Sequence, residues 1–308
     1  MANPLNESWK DTAQVPRSWE ARESLVANGS ATGCRQLEVR VEDGVDLRIL
    51  PDRGFDIGQA WWRGRPLGWV DASRERPPDP DLSGTEWIGS FSGGLLTTCG
   101  LRHIGQPRDG HGLHGKFSHQ RARMSGAASR VVEGETVVTA SAVVEEPGGF
   151  DALFTVEREI TTRTGVGQVE ISDFVTNQGA SPELLKLLYH LNLPHPKVGD
   201  ALNLDGRPLD ADVLRLALDT VELPASEESR LEIVTAERSL SISWRRFSRL
   251  YLWAAPAAVG PVLAVELATA SLVPSGESGL VLEPGEKTEF GLSVCVRESQ
   301  QPRGHSNG

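Results

Sequence analysis

From about residue 35 onward the chain is a succession of short β-branched runs broken by Gly, Asp, Asn or Pro at intervals of roughly ten residues. Few folds other than a large β-sandwich or barrel accept that rhythm. Gln36–Glu42 and Val45–Leu50 flank Asp43-Gly44, a dipeptide that tolerates the positive φ angles of a tight hairpin. Val131–Val132 and Thr136–Glu145 lie around Glu133-Gly134, and Asp151–Thr161 and Gln168–Thr176 around Thr164-Gly165-Val166-Gly167. Their period-two alternation suits antiparallel strands covered on one face. Further strands are predicted at Leu184–Asn192, Leu231–Val234, Leu240–Trp244, Leu250–Ala254, Val262–Leu267 and Thr288–Arg297, the last entered through Glu283-Pro284-Gly285-Glu286. About fifteen strands in all predict an all-β, antiparallel sandwich of two large sheets. Only Ser18–Ala27 reads as helical, with Ser18 as N-cap and Asn28-Gly29 as its stop, a short N-terminal appendage.

Nothing along the 308 residues changes character as a domain linker would, so one domain over 1–308 is expected, with its core at about 34–297. The Pro-rich stretch Arg76–Asp81 reads as a surface loop, and the polar Glu298–Gly308 as a loose tail. Lys and Arg total 31 against 42 Asp and Glu, a net charge of -11, which disfavours nucleic acid and anionic membrane as partners. No cationic stretch followed by an apolar core opens the sequence and no apolar run is long enough to span a bilayer, so a cytoplasmic protein is expected. Cys34, Cys99 and Cys295 are few and far apart, which fits small, buried, reduced thiols better than a disulfide framework.

Six of the seven histidines fall in two clusters: His103, His111, His114 and His119 in one glycine-rich stretch, His190 and His195 around a later strand end. Imidazole titrates near neutrality and suits proton transfer, and glycine lets the backbone approach a ligand closely. The plain alternative is hydrogen-bonded loop histidines. Another is a zinc or manganese site from His111-x-x-His114 with His190 or His195 and a carboxylate such as Asp109, a spacing that on a loop is not a specific signature.

Three segments carry a resemblance to a known superfamily. Gly110-His111-Gly112-Leu113-His114-Gly115 resembles the Leu-His-Gly element of aldose epimerases, Leu188-Tyr189-His190-Leu191-Asn192-Leu193 their strand-borne histidine, and Val262-Leu263-Ala264-Val265-Glu266-Leu267-Ala268-Thr269 the late strand bearing a glutamate. The chain is thus similar, over about Cys34 to Val296, to the galactose mutarotase-like (aldose 1-epimerase-like) superfamily. Leu50-Pro51-Asp52-Arg53-Gly54-Phe55-Asp56-Ile57-Gly58 and Gly93-Gly94-Leu95-Leu96-Thr97-Thr98-Cys99-Gly100-Leu101 resemble its DUF4432 branch. The resemblance implies a galactose mutarotase-like supersandwich that acts at a sugar's anomeric carbon, with His190 as general acid, Glu266 as general base and His114 against the sugar. No cofactor is implied. The bare sequence also admits Glu266 pointing outward from an alternating strand.

The arginine such epimerases carry about two dozen residues before the Leu-His-Gly histidine has no counterpart, since Gly89–Cys99 occupies that region. Arg53, or Arg102 next to His103, is the expected replacement as a substrate contact, because a guanidinium binds hydroxyls and carboxylates through a rigid fork. Trp61, Trp62, Trp69, Trp244 and Trp253 read mainly as core, whereas Trp87 beside the glycine-rich segment is the candidate sugar platform. The missing arginine keeps two rivals open. One is an isomerase or lyase that abstracts a carbon-bound proton from a modified sugar, with or without a metal; the other is a carbohydrate-binding sandwich without catalysis.

Overall fold

Turn chemistry sets the hairpins where the sequence places them. Glu133 and Gly134 both adopt positive φ, 53° and 88°, and join strands Arg123–Val132 and Glu135–Pro147. Asp43, at φ 52°, turns Arg35–Val41 into Val45–Leu50. The computed structural model describes residues 18–148, 152–197, 199–210, 212–213, 219–255, 260–273 and 278–299.

The described strands pair antiparallel. One sheet runs β1 (Trp19–Leu25), β2 (Arg35–Val41), β3 (Val45–Leu50), β4 (Asp56–Trp62), β6 (Leu96–Cys99), β12 (Leu188–Pro194), β19 (Val262–Ala268), β18 (Arg249–Ala254) and β15 (Val221–Leu223), with β5 (Arg65–Pro66) beside β4. The other runs β14 (Arg207–Pro208), β13 (Ala201–Leu204), β16 (Glu228–Val234), β17 (Arg238–Arg245), β21 (Lys287–Glu298), β10 (Val166–Asn177), β9 (Ala152–Arg163), β8 (Glu135–Pro147) and β7 (Arg123–Val132). β11 (Glu183–Leu185) and β20 (Leu280–Leu282) form a small separate pair. The two large sheets share one apolar core, to which Leu47, Leu191 and Val265 contribute from the first and Val156, Ile171 and Leu292 from the second.

The expected N-terminal helix is a strand. Trp19–Leu25 pairs residue for residue with β2, from Trp19↔Val41 to Leu25↔Arg35, and packs Trp19 and Ala21 on the core while Glu20 and Arg22 stay in water. The Glu and Arg content favours a helix only weakly, and an open sheet edge offering a ladder overrides such a preference. At the other end, Glu298 closes β21 and Ser299 donates to the carbonyls of Glu237 and Thr235, so the segment taken as a loose tail begins tied down. The rest of that tail lies outside the described residues. All three cysteines are free; Cys99 is buried, but Cys34 and Cys295 are only partly covered. Among the described residues no helix is long and apolar enough to cross a membrane.

Beneath the later site a buried ion network ties the sheets together. Arg158 on β9 is 0 % exposed and grips Asp173 bidentately at 2.8 and 2.6 Å. Its other contacts reach Asp56 on β4 at 2.7 Å, the Gly54 carbonyl at 3.1 Å and Thr98 on β6 at 2.8 Å. The Tyr189 hydroxyl on β12 donates to Asp173 at 2.5 Å, and Thr98 closes the ring by donating to Asp56 from both its amide and hydroxyl. Burial pushes the Asp56 carboxyl up, and Arg158 with the Thr98 donors pulls it back.

Candidate functional site

Strand alternation places His190 and Glu266 on the face of the first sheet opposite the core, because their neighbours Leu191 and Val265 point into that core. The β12–β19 register sets His190 directly across from Glu266, with His190 Nε2 3.7 Å from Glu266 Oε1. Every residue of β19 is nevertheless buried, as its near-continuous apolar sequence requires, since the segment between β5 and β7 folds over this face. A second apolar cluster forms there from Trp87, Phe91, Ile104, Leu113, Leu188, Tyr251 and others.

The cover delivers His114. Its residue sits at φ 59°, and its Nδ1 accepts from the Gly105 amide at 3.3 Å, which leaves the ring proton on Nε2. Its ring lies 6.0 Å from that of His190, edge to face. Two glycines permit this folding. A Cβ at Gly100 would stand 2.1 Å from the Lys186 carbonyl, and one at Gly115 2.4 Å from the His103 carbonyl.

Burial sets the proton affinities. Desolvation lowers His190 to about 4, against a raising contribution from the Asn192 side chain, and lowers His114 to about 3 with help from His190 and His103. Desolvation alone raises Glu266 to about 7. His190 and Glu266 are 3 % and 4 % exposed, and the Glu266 carboxylate makes no hydrogen bond among the described residues. His190 Nδ1 and Asn192 Oδ1 are both buried without a partner. They lie two residues apart on one strand face, a donor and an acceptor open to each other or to a ligand hydroxyl. With its proton on Nδ1, His190 presents a lone pair on Nε2 to a protonated Glu266.

The other sequence-predicted residues fall nearby with different uses. Trp87 lies 4.9 Å from the His114 ring and 6.3 Å from that of His190, but it is buried, stacks on Phe91 at 4.7 Å and spends its indole N–H on Ser118 Oγ at 3.0 Å. It is wall, not open platform. Half-exposed Trp69, whose amide donates to the Asn192 carbonyl, and half-exposed Trp253, on the same strand face as Tyr251, are the indoles left open on this side. The strand alternation of Tyr251 and Trp253 relative to Glu266 was the signal that could have found Trp253. His103 is buried, donates to the Gln106 carbonyl at 2.8 Å and stacks on His111 at 5.3 Å.

Arg53 is not turned to the site. Its three guanidinium nitrogens donate to the carbonyls of Ser118, Arg76 and Ser90, so it braces the covering loop. Asp52 from the same turn holds Arg35 and Arg121. Arg102 is exposed; its amide donates to Glu146, and its side chain makes no hydrogen bond or close ion pair among the described residues. His119 takes the Asp79 amide on Nδ1 at 2.9 Å and faces Ser90 Oγ, a loop brace also. Among the described residues no three His, Cys, Asp or Glu side chains converge to hold a metal. A hollow of about 730 Å³ lies on the second sheet, lined by Ser243, Ser293, Glu170 and Arg230 among others, with no histidine. We place no chemistry there, since it lacks a desolvated acid–base group.

Comparison with known proteins agrees with this architecture. Residues 31–205 match the profile of a domain of unknown function, DUF4432. No curated protein is similar enough in sequence to count as a relative. Among solved structures, a candidate aldose 1-epimerase from Klebsiella pneumoniae superposes with a TM-score of 0.75 at 18% identity, covering 90% of this chain and 83% of that one. A galactose mutarotase-like protein from Lactobacillus casei gives 0.61 at 13% identity, covering 85% and 100%. A candidate mutarotase from Salmonella typhimurium gives 0.61 at 11% identity, covering 91% and 94%. At such identities the likeness is one of fold.

Proposed function

This chain belongs to the DUF4432 family, and from that premise and its galactose mutarotase-like fold we propose that it is a carbohydrate isomerase that interconverts the anomers of a sugar. The observation that carries the reading is the desolvated His190–Glu266 pair, 3.7 Å apart beneath His114. Glu266 takes the proton of the anomeric hydroxyl and His190 gives one to the ring oxygen. The bond between C1 and the ring oxygen breaks as the C1 carbonyl forms. Rotation about C1–C2 and reversal of both transfers close the ring as the other anomer. Protons balance, so the enzyme ends as it began. The neutral His114 donates its Nε2–H to the substrate oxygen.

Only one proton is needed on the pair. In the empty site desolvation favours leaving it on Glu266, and its passage to His190 makes an ion pair whose attraction offsets part of the burial cost. Either arrangement supplies one donor and one acceptor. Help of about two to four orders of magnitude per group suffices for a reaction that also runs uncatalysed.

The test is anomer exchange measured by NMR across a panel of sugars and across pH. Below about 4 both groups are protonated and no base remains; above about 7 the last proton leaves and no acid remains. The rate over background is expected to peak between those limits. A rate still climbing above pH 8 would contradict the one-proton pair. Sugar binding without exchange at any pH would favour a carbohydrate-binding role instead.

A further inference from the structure

Around His111, at the rim of this site, four cationic side chains gather without a close ion pair among the described residues. Arg102, Arg108, Lys116 and Lys186 each act on His111 or on the stacked His103, and none makes a side-chain hydrogen bond or ion pair among the described residues. The backbone brings them together. The Lys186 amide donates to the Leu101 carbonyl at 2.7 Å, Arg108 and His111 exchange backbone hydrogen bonds, and Gly115 bridges to Gly100. The carboxylates nearby are Glu146, buried, which accepts from the Leu101 amide at 2.6 Å and from the Arg102 amide and attracts the Arg102 and Lys116 side chains, and exposed Asp109 beside His111; together they leave the four cations in excess. Arginines elsewhere in this acidic chain, Arg48, Arg163 and Arg245 among them, pair closely with a carboxylate.

The position of the cationic group joins it to the site. Lys186 stands four positions before His190, about 14 Å of extended chain at most. On the other side the stacked His103–His111 pair leads to His114, whose proton affinity His103 lowers.

We propose that the substrate is an anionic sugar whose oxyanion, a phosphate or a carboxylate remote from the anomeric carbon, is held by Arg102, Lys186 and their neighbours Arg108 and Lys116. This deepens the anomeric reading and rests on it. Like-charge crowding among four cations is relieved when an anion binds, and charge-assisted hydrogen bonds are the strong class. Neutral sugars lack that contact.

The experiment compares exchange of glucose, glucose 6-phosphate and glucuronate by the wild type and by the double variant R102Q/K186Q. An anionic sugar is expected to show the higher kcat/KM, and the double variant to lower its advantage over glucose by about tenfold or more, through KM and not kcat. Preference for the phosphate or for the carboxylate identifies the oxyanion. Equal use of neutral and anionic sugars, or an equal loss for both in the variant, overturns the proposal and leaves the anomeric reading intact. Binding is followed in parallel by tryptophan fluorescence. Salt-sensitive binding of glucose 6-phosphate, weakened in the variant but without exchange of any sugar, upholds the anion site and removes the anomeric reading. Absence of both exchange and binding overturns both.

Discussion

Glu266→Gln is expected to lower anomer exchange by about two to four orders of magnitude while making the protein more stable in alkali. The amide keeps the shape of the side chain and removes the base. The stability gain follows from proton linkage. Burial raises Glu266 from 4.5 to about 7, so the folded protein retains a proton that the unfolded chain releases between those values. Folding stability from this group is therefore lost as pH rises from about 4.5 to about 7 and is constant above. At 1.36 kcal/mol per unit, the ionised form costs about 3 kcal/mol at pH 8. Denaturant unfolding of the two proteins should agree near pH 4 and diverge by roughly that amount at pH 8, the variant being the more stable. Because every other titrating group is common to both proteins, the difference isolates Glu266. Parallel pH–stability curves would remove the buried base from the mechanism, whatever the activity shows.

The second large effect lies under the site. Arg158→Met is expected to cost about 3 to 5 kcal/mol, since it leaves Asp56 and Asp173 buried without their cation. That is a large share of a typical domain's 5–15 kcal/mol, so poor soluble yield and a markedly lower denaturation midpoint are the expected readouts. Arg158→Lys keeps the charge but not the bidentate fork on Asp173, and should fall between the variant and the wild type. A midpoint for Arg158→Met within error of the wild type would mean that the carboxylates take up protons at little cost. The network is also placed to orient the chemistry: Tyr189 and Thr98 belong to it, and their strand neighbours His190 and Thr97 face one another across β12 and β6.

Much of the architecture was legible because β-hairpins are local. Asp43-Gly44 and Glu133-Gly134 announce turns that only a few residues decide, and the flanking alternation fixes which faces meet the core. The Trp19–Leu25 strand was not legible, because its conformation depends on an open edge supplied by β2 and not on its own weak helical preference. The buried Arg158 escaped notice for a similar reason. Its partners Asp56, Thr98 and Asp173 come from three other strands, and in an alternating segment a single Arg looks like a solvated charge.

The candidate site divides in the same way. By itself the sequence determined the all-β class and the main hairpins and singled out His114, His190 and Glu266 as candidates, because turn signals and short motifs are written in neighbouring residues. Tertiary structure alone decided that His190 stands across from Glu266, 76 positions along the chain, that Arg53 braces a loop, that Trp87 is wall, and that Lys186 joins Arg102 in a cationic rim. Those are outcomes of strand register and loop closure. Both depend on which distant segments exclude water together, and that same exclusion moves the proton affinities of His190 and Glu266 toward the values their chemistry would use.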